Sequence, residues 1–401
     1  MIKLPKKIDQ LQVNVSQQNI GVLTQGSHYS YQPTTTDLSP SLTMRAKDLS
    51  PYNHGDILPI FAQNLPEGFN RQYISEKLAR YAKVNDMFLL ALQGDEGIGL
   101  ITYDAGIELP NAESLAIDDI LKYSGKEQLF PTLLEKYYLR NMISGVQPKV
   151  SIPNLERTVH QSGVIVKASD SEFNLLTVNE YVCMNAAKFC GLNTPMTYLS
   201  QNLETFIIER FDKVDNTKLG FEDFTTLMKK GRDPDEKYKS SYETLLKATY
   251  LFTHSHKEVE TMYKYIVFNC LIGNGDAHLK NFALTYNADM TNIKVSPIYD
   301  VTHTIIYDSI DDKMALKLNK SKTFPDKKAL IKLGNLCEPR IINPKEIIEE
   351  IAEGIMKYLS TSNEVKLMKG LHHSIEKSVH IGTGNSYNPK GYFHDKIKKF
   401  E

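Results

Sequence analysis

Cysteine is scarce in this chain. Its four, Cys183, Cys190, Cys270 and Cys337, include no Cys-x-x-Cys pair, so neither a structural zinc site nor a dithiol redox motif is indicated. Cys183 and Cys190 stand seven apart in a helical stretch, share a face, and read as two buried thiols rather than a redox pair. Long hydrophobic runs are missing as well. The longest, near Tyr265–Ile272 and Met87–Leu92, fall far short of a bilayer's width. The N-terminal Met-Ile-Lys-Leu-Pro-Lys-Lys is basic, but no apolar core follows it, so it is not a signal peptide. Neither sign of charge is in excess. With a formal net charge of −1, no bulk field draws the chain to nucleic acid or to anionic membrane. No internal repeat or low-complexity tract is present. What remains is an ordinary globular composition, 41% hydrophobic and 24% charged over 401 residues. That length suffices for two or three packed units. These features suit a reducing cytoplasm.

The texture changes along the chain. Leu11–Val15, Gly21–Leu23 and Tyr29–Tyr31 are short strand candidates separated by polar turns. Gln32–Asp56, punctuated by Pro33, Pro40 and Pro51, reads as loop with one short strand near Leu42–Arg45. Glu67–Ala82 has helical spacing, and residues 104–127 suit a linker with a short helix inside. Beyond residue 128 the pattern predicts a helix at Leu129–Leu139, strands at Val150–Ile152, Gly163–Lys167 and Thr205–Glu209, and a long helix at Asn174–Cys190 capped by Gly191. After residue 240 it is mostly helical: Tyr242–Phe252, Val259–Ile272, Lys327–Leu336, Pro344–Leu359 and Val365–Val379. A strand-rich half followed by a helix-rich half is the sequence shape of a two-lobed enzyme with its site in the cleft. The expected units are 1–108, 109–240 and 241–401.

One segment carries the chemistry. Residues 273–281 read Gly-Asn-Gly-Asp-Ala-His-Leu-Lys-Asn, with Asp276 and Asn281 five apart. Protein kinases use that spacing in the catalytic loop, where the Asp orients the attacking hydroxyl and the Asn holds magnesium. Asp300 follows at the end of Ile-Lys-Val-Ser-Pro-Ile-Tyr-Asp. Asn281 and Asp300 offer hard oxygen ligands that suit Mg²⁺. Phe282–Tyr286 and Ile293–Ile298 flank a turn-rich hexapeptide and predict a β-hairpin. An antiparallel pair would bring Asn281 and Asp300 together at its open end. His278 and Lys280 lie between Asp276 and Asn281, in reach of a transferring phosphoryl. Gly273-Asn274-Gly275 allows a sharp turn just before Asp276.

Upstream, Lys167 ends an apolar strand and is a candidate phosphate ligand, with Glu180 on the next helix as its partner. The stretch Met142-Ile-Ser-Gly-Val-Gln-Pro-Lys149 offers backbone amides around Gly145, and the charge of Lys149, as a phosphate cradle. Phe206-Ile-Ile-Glu-Arg-Phe-Asp212 is either an edge strand leaving a sheet or a hinge presenting Glu209 and Phe211 to adenine. A rival chemistry stays open, since Asp-x-His also binds zinc or iron in hydrolases. The nearest other histidines, His254, His256 and His303, are not at clearly supporting spacings. A kinase-like module that binds nucleotide without useful turnover is the other alternative.

These blocks together resemble the HipA family of bacterial serine/threonine kinases, the toxins of HipBA-type toxin–antitoxin pairs. The matching segments are Ser-Gly-Val-Gln-Pro-Lys (144–149), Val-Ile-Val-Lys (164–167), Asn-Glu-Tyr (179–181), Glu-Arg-Phe-Asp (209–212), Gly-Asp-Ala-His-Leu-Lys-Asn (275–281) and Ser-Pro-Ile-Tyr-Asp (296–300). The resemblance implies an α+β, two-lobed protein-kinase-like fold. A small N-terminal α+β subdomain would precede it, and the C-terminal lobe would be mostly helical. It implies Asp276 as catalytic aspartate, Asn281 and Asp300 on Mg²⁺, and Lys167 on ATP phosphates. Ser144, Gly145, Val146, Gln147 and Lys149 would form the phosphate loop, and Glu209 and Phe211 the adenine hinge. It implies a protein substrate, such as an aminoacyl-tRNA synthetase, growth arrest, and a HipB-like DNA-binding antitoxin as partner.

The chain departs from the family at Met142, where relatives carry a phosphorylatable serine. Self-phosphorylation, if retained, moves to Ser144. The C-terminal Lys390–Lys399 segment has four lysines and no arginine for base readout, so it reads first as a solvated tail, with a DNA contact beside an antitoxin dimer as the alternative.

Overall fold

The computed structural model describes residues 5–45, 48–107, 116–124, 129, 132–133, 157–161, 163–168, 173–214 and 217–384. The expected strand at Val150–Ile152, the 142–149 loop and the Lys390–Lys399 tail lie outside them, as does all of the expected Leu129–Leu139 helix except 129, 132 and 133.

The N-terminal unit is an antiparallel sheet in the order β4-β3-β2-β1-β5. Its strands are β1 (Gln10–Val15), β2 (Gln18–Gln25), β3 (Tyr29–Pro33), β4 (Tyr52–His54) and β5 (Ile101–Asp104). Alternation drives it: Leu11, Val13 and Val15 of β1 are buried and the residues between them are not. β1 turns into β2 through Ser16 and Gln17, both at positive φ, the twist a two-residue hairpin needs. Helix α1 (Gly68–Leu78) and helix α2 (Asp86–Gln93) accompany the sheet. Every residue of α2 from Asp86 to Leu92 is buried, and Asn85 caps it by accepting from Phe88 N at 2.9 Å.

No strand forms at Leu42–Arg45. The segment is a turn because its polar groups are taken by a distant side chain. Ser41 Oγ donates to Glu222 Oε2 at 2.7 Å and Leu42 N to Glu222 Oε1 at 2.7 Å.

The second sheet runs β6-β7-β9-β8, with β6 (Arg157–Gln161), β7 (Val164–Ala168), β8 (Thr197–Leu199) and β9 (Thr205–Glu209). Helix α3 (Leu176–Phe189) packs against it through Val178, Val182 and Ala186, and Gly191 at φ 73° closes its C-terminal end. A third, smaller sheet joins β10 (Gly220–Asp223), β11 (Ala283–Tyr286) and β12 (Lys294–Val295). Leu284 pairs with Val295 in antiparallel register, which realises the expected hairpin.

The remainder is helical: α4 (Tyr242–Thr253), α5 (His256–Ile272), α6 (Lys327–Leu336), α7 (Pro344–Thr361) and α8 (Leu371–Thr383). Buried helix α5 lies at the centre, packed by α4, α7 and α8. The single helix expected at Val365–Val379 is broken. A 3-10 turn at Glu364–Leu367 ends, and α8 begins after Gly370, whose φ of 87° lies outside helical geometry. The expected fold class, α+β with a mostly helical C-terminal part, is borne out.

Candidate active site

Helix α5 stops at Gly273, which adopts φ 80° with Asn274 N bonded back to Asn269 O at 2.9 Å. The loop that follows is knitted by short bonds. Gly275 N donates to Thr304 Oγ1 at 2.7 Å, and Asp276 N to Asn274 Oδ1 at 3.1 Å. His278 N donates to Asn281 Oδ1 at 3.1 Å. Asp276 therefore stands on a stiff turn with its carboxyl half-exposed toward a cleft of about 1140 Å³. Lys167, Glu180, Asp276, Lys280, Tyr299 and Asp300 all line that cleft.

The acidic residues converge as the hairpin predicts. Asp300 Oδ2 accepts from the Asn281 amide, and Asp300 Oδ1 lies 2.5 Å from Lys167 Nζ. The same ammonium lies 2.7 Å from Glu180 Oε1, so the lysine of β7 bridges a helix carboxylate and the hairpin carboxylate. Burial, the largest single influence, would raise the Asp300 carboxyl. The charge and hydrogen bond of Lys167, with His278 and Lys237 adding to them, together hold it below its ordinary value, hence ionised. Asp300 itself sits at φ 58°, a left-handed conformation that its surroundings must impose.

Part of that imposition comes from Asn179, one residue before Glu180. Its side chain brackets the backbone of His303, accepting from His303 N at 2.7 Å and donating to His303 O at 2.9 Å. His303 is fully buried, and burial pushes its imidazole down to about 4, so it is neutral. Ile272 O can only accept, so His303 Nδ1 carries the proton across that 2.6 Å contact, and Nε2 accepts from Ser374. The histidine is thus an anchor for the loop behind Asp300.

Other expected residues have different surroundings. His278 is 5% exposed and does not line the cleft. Burial, with the Lys237 cation second, pushes it down to about 3, so it stays neutral behind Asp276. Lys280 lines the cleft but pairs with Glu67 of the N-terminal unit. Glu209 accepts from Tyr198 OH at 2.7 Å. Phe211 joins an aromatic cluster with Phe221 and Tyr299, both of which line the cleft. Ser144, Gly145, Val146, Gln147 and Lys149 lie outside the described residues.

The sequence reading missed Tyr238, whose hydroxyl donates to Asp276 Oδ1 at 3.2 Å. It missed Arg232, which is bound bidentately to Asp86 at 2.6 and 2.9 Å. Only the fold brings these partners together, and no local pattern marks them.

Comparison with known proteins decides the family. The model of the HipA-like C-terminal domain matches residues 142–359, more than half of the chain, and that of the HipA N-terminal domain matches residues 11–104. The chain belongs to the HipA family. Y4dM of Sinorhizobium fredii, provisionally named a kinase, is 27% identical over 355 residues, covering 80% of this chain and 81% of its own. The serine/threonine-protein kinase toxin HipA of Shewanella oneidensis is 23% identical, with 73% of each chain covered. The structure of a Shewanella oneidensis HipA, in complex with HipB and operator DNA, superposes with a TM-score of 0.68 at 16% identity. That match covers 94% of this chain and 98% of the other. The expected family and kinase class are thereby borne out. Among the described residues, no helix is long and apolar enough to cross a membrane.

Proposed function

We propose that this HipA-family kinase transfers the γ-phosphoryl of ATP to a serine or threonine of a protein. In this reading Asp276 accepts the hydroxyl proton as the seryl oxygen–phosphorus bond forms and the bond to the bridging oxygen of ADP breaks. Lys167 binds the phosphate chain, oriented by Glu180. The aromatic cluster of Phe211, Phe221 and Tyr299 borders the space for the base, and residues 144–149 are assigned to the phosphates.

The donor set suits a divalent cation. Asp300 is ionised, adjoins Asn281, and already faces the positive charge of Lys167. Mg²⁺ held by Asp300 and Asn281 would neutralise charge on the β- and γ-phosphates. The Asn281 carbonyl oxygen, now bonded to His278 N, would have to share itself with the ion.

One observation carries the reading: a lysine, its helix glutamate and an aspartate line one cleft with Asp276, and a buried asparagine bonded to that aspartate completes the chain. Transfer of label from γ-labelled ATP to protein in a cell lysate tests it. Asp276→Ala should reduce transfer by ~100-fold or more while nucleotide still binds. Equal labelling by both proteins would refute the assignment.

Relatives support the biological role. The Shewanella HipA is named a toxin, and a structure from that organism joins HipA to HipB and operator DNA. We extend this to a toxin that arrests growth and is neutralised by a HipB-like DNA-binding antitoxin. Any phosphate acquired in the phosphate loop belongs on Ser144, which mass spectrometry after ATP incubation would locate.

A further inference from the structure

The cleft wall carries six lysine and arginine side chains among the described residues: Arg71, Lys167, Lys230, Arg232, Lys237 and Lys280. Five have a carboxylate within 4.0 Å. Arg71 and Arg232 share Asp86, Lys167 has Glu180 and Asp300, Lys230 has Glu236, and Lys280 has Glu67. Among the described residues Lys237 has none.

Its placement is specific. Lys237 belongs to the 3-10 turn Pro234–Tyr238, and its Nζ lies 5.1 Å from the centre of the neighbouring Tyr238 ring. That ring meets His278 edge-on at 5.3 Å, and its hydroxyl donates to Asp276 at 3.2 Å. The ammonium therefore rests on the very aromatic ring that touches the catalytic carboxylate. Its field reaches the site, since it helps to lower both Asp300 and His278.

A half-buried cation on the cleft wall, with no carboxylate within 4.0 Å among the described residues, awaits an anion. Resting on the kinase reading above, we propose that Lys237 is a further catalytic residue, which contacts the γ-phosphoryl group of ATP as it is transferred. In a loose phosphoryl-transfer transition state, negative charge spreads over the equatorial γ-oxygens, and a fixed cation there lowers the barrier. Lys167 is already divided between Glu180 and Asp300, and Lys280 is tied to Glu67. Among the described residues, Lys237 is the cleft lysine whose charge remains to meet the γ-oxygens.

Calorimetric titration of the full chain tests this, with two probes: MgADP and the non-hydrolysable β,γ-imido analogue of MgATP. Lys237→Met should weaken the triphosphate analogue about tenfold while ADP affinity stays within about twofold. Lys237→Arg should restore most of the loss. An unchanged analogue-to-ADP ratio in Lys237→Met overturns the proposal, and so does an equal loss for both nucleotides, which would mark a structural role. Wild-type protein that binds neither nucleotide would sink the kinase reading itself, and this inference with it.

Discussion

At the scale of the residue, the proposed site divides into groups assigned to the chemistry and groups that hold them. Lys167, Asp276, Asn281 and Asp300 were legible in the sequence, because each stands in a short motif whose spacing has a mechanical reason. Tyr238 and Asn179 act through one hydrogen bond or two to residues far along the chain, and their neighbours give no hint of it. In the proposed mechanism Tyr238 is a positioning residue, since its hydroxyl donates to one oxygen of the Asp276 carboxyl. Tyr238→Phe keeps the ring, and with it the contacts to Lys237 and His278, but removes that bond. Turnover should fall about tenfold with nucleotide affinity unchanged, the signature of lost alignment rather than lost binding. Steady-state kinetics resolve the two, and an unaltered kcat would show the contact to be idle.

At the scale of the element, two glycines before Asp276 serve different ends. Gly273 ends α5 at positive φ, and a Cβ there would come within 2.7 Å of the His303 ring. Gly275 would bring a Cβ within 2.7 Å of both Lys313 O and Thr304 Oγ1. Gly273→Ala should cost about 1–2 kcal/mol in backbone strain alone, seen as a melting temperature lower by ~2 °C. It should also depress activity, because His303 anchors the loop behind Asp300. A variant as stable as the parent would mean that the helix end relaxes freely.

The hairpin at 283–295 was legible because two short, strand-like runs, Phe282–Tyr286 and Ile293–Ile298, flank a polar turn. The break at Gly370 was not, because the apolar spacing continues across it. Nor was the loss of strand at Leu42–Arg45, since the acceptor for that segment's polar groups lies some 180 residues away.

At the scale of the whole molecule, the N-terminal unit is tied to the rest at several points. Arg232 reaches Asp86, Lys280 reaches Glu67, and the Arg210 guanidinium donates to the carbonyls of Glu96 and Gly97 at 2.7 and 2.8 Å. Glu222 is the most deeply buried of these ties. It accepts from Ser41 and Leu42 of the N-terminal unit and from Tyr286 OH at 2.6 Å. Burial raises its carboxyl from the ordinary 4.5 to about 7, although the three donors oppose the shift.

Between those two values the unfolded chain releases the proton and the folded chain keeps it. This contribution to stability is therefore complete below pH 4.5, declines as pH rises toward 7, and is level beyond. The span amounts to about 3 kcal/mol. Glu222→Gln should remove that decline, so the variant gains on wild type between pH 5 and pH 8 in thermal melts. Asp223, whose carboxyl burial also raises, is present in both proteins and largely cancels in the difference. A constant difference in melting temperature across that range would show that Glu222 is ionised in the fold.

The sequence by itself determined the α+β architecture, the order of its main elements and the identity of the phosphate and metal candidates. Those features depend on local periodicity and on residues close together in the chain, where geometry follows from spacing. Only the tertiary structure decided that His278 is buried and neutral, that Lys280 is committed to Glu67, and that Lys237 and Tyr238 stand at Asp276. Those outcomes depend on burial and on long-range charge pairing, quantities set by which surfaces fold against each other.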